Sequence, residues 1–532
     1  MSNPLIALYP DMFNDVFGPI MQPGSSSHTA APCRLGNMAR SILGEELKKV
    51  TVLLDKEGSF AGTFGSMREH LGMLGGTLGI SIDDERLFDA VEIAEKDNVE
   101  YEFIFGEMRE STHINGMKYI LTGTGGKVTT LVGDSIGGGM VETVSINGYP
   151  LRDHGDTYMV LVYDPQKNIS ASSVFENARA KWKVIGEGTV KTEERGNLYY
   201  IKISEPVDIG VLGDIQNISD IDVMAPVLPV ISTAQKKPQL FSTVTEWRRL
   251  AEEQGKSLYE VSIDYQSNST SWQREKIIDY MKWIAQKMHM QTHASIMGGH
   301  EILETPFSGY HYKKWIAYAD GSLTNGVIGD AIKYAFAASE NFRGVHIVPG
   351  PMGLGGGYVY AALCAVMDHF NYTEEDLLRG LFIAGGIGAI AYTRTHPTGE
   401  VIGCTGECGV CCSMAAAAVT EMCGGTPGQV EAAASLALQA CLGWPCDPIP
   451  GGQFQPCMSR VITATTTAIA FADIALSGKD AVMPYHEVVD VADKIGRGLS
   501  NDLLCTSRGG CCESASGKAC INNFKQYCEN KR

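Results

Sequence analysis

The sequence contains little that would direct the protein to nucleic acid, to a membrane or out of the cell. Acidic residues outnumber basic ones, 61 to 43, and no basic stripe with interleaved aromatic residues occurs, so nucleic acid is not expected as a partner. The longest apolar run, at 380–392, is shorter than the roughly 18 to 20 residues of a membrane span, so a buried helix is expected instead. The first residues lack a basic segment followed by a long apolar one, which predicts no signal peptide and a cytoplasmic protein.

The length of 532 residues is too great for one ordinary hydrophobic core. Strand-like and helix-like periods predict a multidomain fold with three folded units and a linker. These are an N-terminal α+β domain at 1–150, a small βαβ module at 151–206, a linker at 207–240 and an all-α catalytic domain at 241–532. Small metabolites remain the expected ligands, because the net charge of −18 repels phosphate backbones.

Cysteine is almost absent from the first two thirds of the chain and crowded in the rest. Of 15 cysteines, 13 lie between Cys404 and Cys528 inclusive. In a chain without export signals, such crowding favours metal ligation or redox chemistry over a disulfide framework. The chemistry is therefore expected in the last third.

Three of these cysteines lie in glycine- and proline-rich turns, which suits the ligands of a catalytic [4Fe-4S] cluster. Such a cluster needs three thiolates from converging loops and leaves one iron open as a Lewis acid. Cys404, Cys446 and Cys457 fit this requirement best, and prolines beside the last two stiffen their loops. These three residues are the predicted metal ligands.

A competing pattern overlaps the first of these ligands. Cys404, Cys408 and Cys411 have the C-x3-C-x2-C spacing of radical S-adenosylmethionine enzymes. That chemistry normally follows the first strand of a long βα barrel, whereas the residues after Cys411 predict helices. Cys408, Cys411 and Cys412 are more simply interpreted as core residues at the start of a helix at 413–422.

Long segments with the cysteines in register resemble the iron-sulfur L-serine dehydratase family. The segments are GCTGECGVCCSMAAA at 403–417, CDPIPGGQFQPC at 446–457, TSRGG at 506–510, SSSHT at 25–29, HIN at 113–115 and SIGGG at 135–139. The resemblance covers nearly the whole chain, in the order β-type region, small regulatory-like module, α-type region. It implies that Cys404, Cys446 and Cys457 hold an oxygen-sensitive [4Fe-4S] cluster, that residues 151–206 are a degenerate ACT-like module, and that the protein is a homodimer.

The reaction implied by this resemblance is elimination of water from L-serine, giving pyruvate and ammonia in amino-acid degradation and gluconeogenesis. An open iron would accept the β-hydroxyl, and a base would remove the Cα proton. The loop formed by Ser25, Ser26, Ser27 and Thr29 is suited to holding a carboxylate, with Asn115 as a further substrate contact; taken alone, it is a polar turn or helix cap. His28 and His113 are the candidates for proton transfer or substrate orientation.

Two departures from the family pattern leave the substrate open. Met67 occupies the position of a family histidine, and Met352 that of a family threonine. Arg68 or His70 could then contact an additional substrate group. His70 is therefore a further catalytic candidate, and Arg68 and Gly353 are further substrate-binding candidates. Threonine, cysteine and larger β-substituted amino acids are the alternative substrates.

Two other functions compete with this one. The glycine run at 353–357 is similar to the phosphate loop of pyridoxal-phosphate dehydratases, although no Ser-x-Lys segment accompanies it. A cluster-bearing sensor that binds an amino acid without turnover is the non-enzymatic interpretation.

Overall fold

The computed structural model describes residues 9–207, 220–231, 238–303, 311–318, 321–450 and 456–530. Its strands are β1 Leu47–Asp55, β2 Glu100–Gly106, β3 Gly116–Gly123, β4 Val128–Gly137, β5 Met140–Ile146, β6 Tyr158–Asp164, β7 Val184–Thr192, β8 Gly196–Ile203 and β9 Ile221–Met224. Its helices in the first half are α1 Ala31–Leu43, α2 Ser59–Thr63, α3 Glu69–Thr77, α4 Ala90–Lys96, α5 Ala171–Lys181, α6 Val244–Gln254 and α7 Leu258–Thr270. Those in the second half are α8 Arg274–Met297, α9 His311–Tyr318, α10 Gly326–Ser339, α11 Gly355–Phe370, α12 Glu374–Arg394, α13 Gly399–Ile402, α14 Val410–Met422, α15 Pro427–Ala440, α16 Cys457–Leu476, α17 Tyr485–Gly496 and α18 Ala515–Asn530.

The N-terminal region is built on a five-stranded mixed sheet in the order β2-β1-β3-β4-β5. β1 and β2 are parallel, whereas the other neighbouring pairs are antiparallel. Helix α1 packs on β4 and α3 through an apolar face that includes Leu35, Met38 and Ile42, and ends at Gly44 in the left-handed conformation. This α/β region agrees with the predicted α+β domain.

The second sheet has the order β7-β8-β6-β9, and all its neighbouring strands are antiparallel. Helix α5 packs on β7 and β8, and Val160, Val174 and Ile201 belong to a small core of their own. The sequence predicted β6, α5 and β8 but not β7. Strand β9 lies in the predicted linker, because a four-residue strand has too few alternating residues to show a period.

The C-terminal region is helical, as predicted, and contains the largest hydrophobic core. Helix α12 includes the apolar run at 380–392 and packs against α14, and α14 packs in turn against α15 and α16. Residues from Leu377 to Tyr392 of α12 are almost all buried, which confirms the expected buried helix. One described helix, α16, is long and apolar enough to cross a membrane by length and composition alone; a single such helix is weak evidence because core helices satisfy the same criterion.

Candidate functional site

The SSSHT segment forms a tight, fully packed turn directly before α1. Residues Ser26–Ala30 make a π-helical turn whose N-cap, Ser25, accepts a hydrogen bond from the backbone N–H of His28 at 3.2 Å. The Thr29 hydroxyl donates to the Met67 backbone carbonyl, and Ser25 N–H donates to Thr29 Oγ1 at 3.1 Å. The helix-cap interpretation is therefore correct for Ser25, while the other hydroxyls of the turn lie within a buried polar network.

His28 and Glu400 form the centre of that network. His28 Nδ1 lies 3.3 Å from Glu400 Oε1, and both side chains are buried. Ser27 donates to the same carboxylate oxygen at 2.7 Å, and Thr398 donates to the other one. His28 Nε2 is 2.8 Å from Ser59 Oγ. Burial lowers the pKa of His28, and the charge of Glu400 opposes that shift.

The structure brings five cysteine side chains to the same part of the molecule, and we call them the five-thiol group: Cys404, Cys408, Cys446, Cys457 and Cys505. The Sγ atoms of Cys404 and Cys408 are 3.2 Å apart. Cys446 and Cys505 are hydrogen-bonded through their thiols, and the Cys505 N–H donates to the Cys446 carbonyl at 2.7 Å. The predicted ligands Cys404, Cys446 and Cys457 thus share one neighbourhood, in which the first two are buried and Cys457 is partly exposed.

Electrostatics in the five-thiol group favour a bound cation. Burial and the negative charge of Cys404 together raise the pKa of Cys457 well above its ordinary value. Burial and the same charge also raise the pKa of Glu407, which lies 3.9 Å from Cys446 Sγ. Each buried thiolate disfavours the ionisation of the neighbouring thiols. A positively charged metal centre would offset this free-energy cost. The donor set therefore fits a metal-sulfur cluster held by Cys404, Cys446 and Cys457.

Two further features adapt the surrounding loops to these thiols. A Cβ atom at Gly399 would lie 2.6 Å from Cys446 Sγ, so any side chain there would displace this thiol. Arg460, one turn after Cys457 on α16, forms an ion pair with buried Asp447 at 2.7 Å. This pair ties the loop that carries Cys446 to the helix that begins at Cys457.

The two residues that depart from the family pattern both touch cysteine side chains. Met67 is buried with Cys446 and Cys505, and Met352 Sδ is 3.8 Å from Cys408 Sγ. A Cβ atom at Gly353 would lie 3.3 Å from the backbone N of Ser26, so the 352–353 loop packs on the SSSHT turn. Both thioethers therefore lie beside cysteine side chains of the candidate site.

His113 and Asn115 lie on the loop before β3. Burial lowers the pKa of His113, while nearby Asp134 and Glu400 oppose the shift, so His113 is close to the same carboxylate as His28. The side chain of Asn115 is completely buried, and neither its Oδ1 nor its Nδ2 has a protein partner among the described residues. Since buried amides are normally satisfied, this residue is suited to contact a ligand.

The remaining candidates have structural contacts of their own. Arg68 adopts a left-handed backbone conformation, donates to the Pro23 carbonyl and lies over the Phe88 ring at 5.3 Å. His70 lies on α3, with its ring 6.0 Å from that of Phe64. The substrate roles of Arg68 and His70 stay predictions.

Several residues of the site were not predicted from the sequence. Glu400, Ser59 and Cys505 all contact the His28 network, and ligand atoms of His28, Glu400 and Cys505 lie within 4.8 Å of one another. Two features of the sequence could have indicated these residues: Glu400 is four residues before Cys404, and Cys505 directly precedes the TSRGG segment. Cys408, interpreted as a core residue, is buried but also contacts Cys404. The described residues after Cys411 form helices rather than a βα barrel, against the radical-enzyme alternative.

Comparison with known proteins agrees with this architecture. The family model for the serine dehydratase alpha chain matches residues 230–512. The probable L-serine dehydratase alpha chain of Bacillus subtilis (strain 168) is 31% identical over 282 residues, which cover 52% of this chain and 93% of that protein. The probable beta chain of the same organism is 32% identical over 210 residues, 39% of this chain and 93% of the relative.

A third relative has a similar percentage of identical residues. L-serine dehydratase 1 of Escherichia coli (strain K12) is 31% identical over 286 residues, 51% of this chain and 62% of that protein. The chain is therefore a member of the L-serine dehydratase family, with regions related to the beta and alpha chains fused in one polypeptide.

Proposed function

We propose that this protein is a [4Fe-4S]-dependent L-serine ammonia-lyase, which eliminates water from L-serine to give pyruvate and ammonia. The observation that carries the proposal is the contact between the His28–Glu400 pair and the five-thiol group, through Ser59 and Cys505. The names of the relatives support serine as the substrate. Cys404, Cys446 and Cys457 would hold the cluster, which when bound supplies a Lewis-acidic iron for the β-hydroxyl.

His28 is the proposed proton-transfer residue. Its Nδ1 lies 2.9 Å from Ser27 Oγ, and that hydroxyl donates to Glu400 Oε1, so Glu400 orients the imidazole through Ser27 and through its own charge at 3.3 Å. Nε2 is 2.8 Å from Ser59 Oγ, whose hydroxyl donates to the Cys505 carbonyl, so Ser59 Oγ is left to accept the proton of Nε2, and Nδ1 is the nitrogen that takes up a proton. Burial favours the neutral imidazole, because it lowers the pKa of His28. A neutral imidazole oriented by a carboxylate is suited to act as a general base.

The substrate carboxylate would be held near the SSSHT turn and Asn115. Asn115 has buried donor and acceptor atoms without protein partners among the described residues, and a bound carboxylate or ammonium group would satisfy them. His113 is near Glu400 and would orient the substrate or share in proton transfer. Asn115 and His28 thus have separate roles, one in binding and one in chemistry.

Substitution by methionine at positions 67 and 352 supports a second candidate substrate. Neither thioether can donate a proton to a departing hydroxide, which is a poor leaving group, whereas sulfide leaves more readily. Cysteine, with release of sulfide, is therefore the alternative that these contacts favour over threonine.

The proposal also covers the origin of the second sheet, the location of the protein, its oligomeric state and its oxygen sensitivity. The all-antiparallel order β7-β8-β6-β9 has the split βαβ arrangement of ferredoxin-like modules, which supports an ACT-like origin of this region. A cytoplasmic location, a homodimer and an oxygen-sensitive enzyme of amino-acid degradation are proposed by analogy with the family.

The test is anaerobic purification followed by measurement of iron, 2-oxo acid and ammonia. The wild type should carry about four irons per chain and release pyruvate and ammonia from L-serine. Cys446→Ser should lose both the iron and the turnover. Cys423→Ser is the matched control, because Cys423 lies at the end of α14 beside Tyr372 and Asp473, and it should retain both.

The alternatives give different results in the same experiment. Iron binding without ammonia from any hydroxy or thiol amino acid would favour the sensor. Activity that survives iron chelation and is lost with hydroxylamine would indicate a pyridoxal enzyme. Faster turnover of cysteine than of serine would leave the cluster assignment intact and replace the substrate.

A further inference from the structure

Three buried donor side chains from distant parts of the chain meet beside the proposed cluster ligands: His28, Glu400 and Cys505. One ligand atom of each side chain lies within 4.8 Å of those of the other two. His28 has no exposed surface, Glu400 is 4% exposed and Cys505 is 5% exposed. The group therefore offers a nitrogen, an oxygen and a sulfur donor to one place in the interior.

The distances within this group suit a zinc ion. Zn²⁺ binds histidine nitrogen and carboxylate oxygen at about 2.0 to 2.2 Å and cysteine sulfur at about 2.3 Å. A tetrahedral centre with these bonds places nitrogen and oxygen about 3.3 Å apart, and nitrogen and sulfur about 3.6 Å apart. His28 Nδ1 and Glu400 Oε1 are 3.3 Å apart. Because Cys505 Sγ lies within 4.8 Å of both partners, a movement of no more than about 1 Å completes the coordination.

Two hydroxyl groups hold the carboxylate of Glu400 in place. Ser27 donates to Oε1 at 2.7 Å, and Thr398 donates to the other oxygen. A carboxylate oxygen has two lone-pair sites, so Oε1 can keep the Ser27 hydrogen bond and also bind an ion. Ser27 Oγ is 2.9 Å from His28 Nδ1, and a bond from Nδ1 to the ion would replace this contact.

Ser59 and the backbone orient the other two donors. Ser59 accepts the proton of His28 Nε2 at 2.8 Å and donates to the Cys505 carbonyl at 2.7 Å, so the Nδ1 lone pair stays available. Cys505 has a φ of 61°, a left-handed conformation that residues with a side chain rarely adopt, and its N–H donates to the Cys446 carbonyl at 2.7 Å. Outer hydrogen bonds of this kind fix the ligands of metal sites, and such backbone outliers are typical of functional positions.

We propose that His28, Glu400 and Cys505 bind one Zn²⁺ ion beside the cluster and that this ion inhibits the enzyme. The sulfur and imidazole donors favour Zn²⁺ over Mg²⁺ and Ca²⁺, which take oxygen ligands. On binding, the S–H bond of Cys505 breaks, the sulfur bonds to zinc and the proton passes to solvent. The two positive charges of the ion then match one carboxylate and one thiolate. Zinc on Nδ1 would occupy the lone pair that takes up the proton, so the inhibition rests on the proposed function, whereas zinc binding does not depend on it.

Zinc K-edge X-ray absorption tests the site, on the anaerobically purified, iron-loaded full chain with one equivalent of Zn²⁺. The expected shell is one sulfur at about 2.3 Å with nitrogen and oxygen at about 2.0 to 2.2 Å, at unchanged iron content. Three or more sulfurs would mean that zinc replaces iron among the cluster ligands and would overturn the proposal. A shell without sulfur would also overturn it, and would indicate a surface pair such as His289 and His293, whose rings stack at 3.8 Å on α8.

Two substitutions test the assigned donors by competition for Zn²⁺ with a chromogenic chelator. Cys505→Ser and Glu400→Gln should each weaken zinc binding at least about tenfold while keeping the iron content of the wild type. Cys423→Ser and Glu431→Gln are the matched controls, since both residues lie on or at the end of helices away from His28, and they should bind zinc like the wild type. Wild-type zinc affinity in folded Cys505→Ser would overturn the proposal even if Glu400→Gln fails to fold.

Inhibition is measured separately, as ammonia release by the iron-loaded enzyme. Wild-type turnover should be lost as one equivalent of zinc binds and should return with a zinc chelator at unchanged iron content. Cys505→Ser, compared with its own zinc-free rate, should need at least about tenfold more zinc. A one-sulfur zinc shell in a protein that releases no ammonia from any substrate would support the zinc site and refute the proposed function. Serine turnover that continues with zinc bound would overturn the inhibition and leave the proposed function intact.

Discussion

His28 Nδ1 lies 3.3 Å from Glu400 Oε1, so a buried contact between an imidazole and a carboxylate joins the α/β region to the helical region at the candidate site. Glu400 was not predicted from the sequence, yet it provides the charge that most directly opposes the effect of burial on the pKa of His28. The proposed chemistry therefore depends on a contact between residues that lie far apart in the chain.

Replacing Glu400 by Gln should move the pH dependence of the reaction. Without the carboxylate charge, burial lowers the pKa of His28 further, so the acidic limb of the kcat/KM profile should shift to lower pH. The loss of orientation should also reduce kcat by about 10-fold to 100-fold. Steady-state rates measured between pH 5 and 9 on cluster-loaded enzyme would check both effects.

Glu431→Gln provides the control for that measurement. Glu431 is a half-buried carboxylate on α15 that pairs with Arg248 at 3.8 Å, away from His28. The pH profile of kcat/KM for Glu431→Gln should coincide with that of the wild type. An unshifted acidic limb in Glu400→Gln would exclude His28 as the titrating base.

The ion pair between Arg460 and Asp447 should contribute to cluster retention. Removing one partner of a buried pair leaves the other charge unmatched, which destabilises a fold by about 3 kcal/mol. The charge of Arg460 also favours the thiolate forms of Cys404 and Cys457, so Arg460→Gln raises the pKa of both thiols. We expect faster iron loss to a chelator and a lower unfolding midpoint in urea.

Arg497→Gln is the matched control for the Arg460 variant. Arg497 pairs with Asp493 at 2.8 Å on the more exposed surface of α17, where such pairs contribute about 0.5 kcal/mol or less. Iron loss at the wild-type rate in Arg460→Gln would show that this pair has no part in holding the cluster.

The sequence could predict those parts of the molecule whose signals are local. The buried run in α12 follows from its continuous apolar sequence, and the SSSHT turn and the cysteine loops follow from short motifs. Strand β2, an edge strand, was not predicted, although its glutamates alternate with aromatic residues over 100–103 in a pattern that is typical of strands. Ser59 and Cys505 could not be predicted, since only tertiary packing brings them to His28.

Gly399 should be intolerant of any side chain. A Cβ atom there would lie 2.6 Å from Cys446 Sγ, so Gly399→Ala must displace a predicted cluster ligand, at a cost of about 1 to 3 kcal/mol. Iron content after anaerobic purification should fall well below that of the wild type. Gly428→Ala is the control: its Cβ has no neighbour closer than 4.0 Å and it lies in α15, so iron content should be unchanged.

Met67 should control the choice between hydroxide and sulfide as leaving groups. Met67 is buried against Cys446 and Cys505, and Met67→His would place a proton donor beside them. Hydroxide needs that proton more than sulfide does, so serine kcat/KM should rise about tenfold while cysteine kcat/KM changes less than about twofold. Met67→Gln tests polarity without titration, and an equal effect there would refute the proton-donor explanation.

His396 should make the fold sensitive to acid. Burial lowers the pKa of His396 to about 3, and its Nε2 has no hydrogen-bond partner among the described residues. Below the ordinary histidine pKa of about 6.5, the unfolded chain binds a proton that the folded chain does not. The free energy of unfolding should therefore fall as pH decreases from about 6.5 toward 3, by about 1.4 kcal/mol per pH unit from this residue.

His396→Gln should show a shallower pH dependence in urea titrations, whereas His369→Gln, at an exposed position on α11, should follow the wild-type slope. A slope in His396→Gln equal to that of the wild type would mean that His396 takes up its proton in the folded state as readily as in the unfolded one.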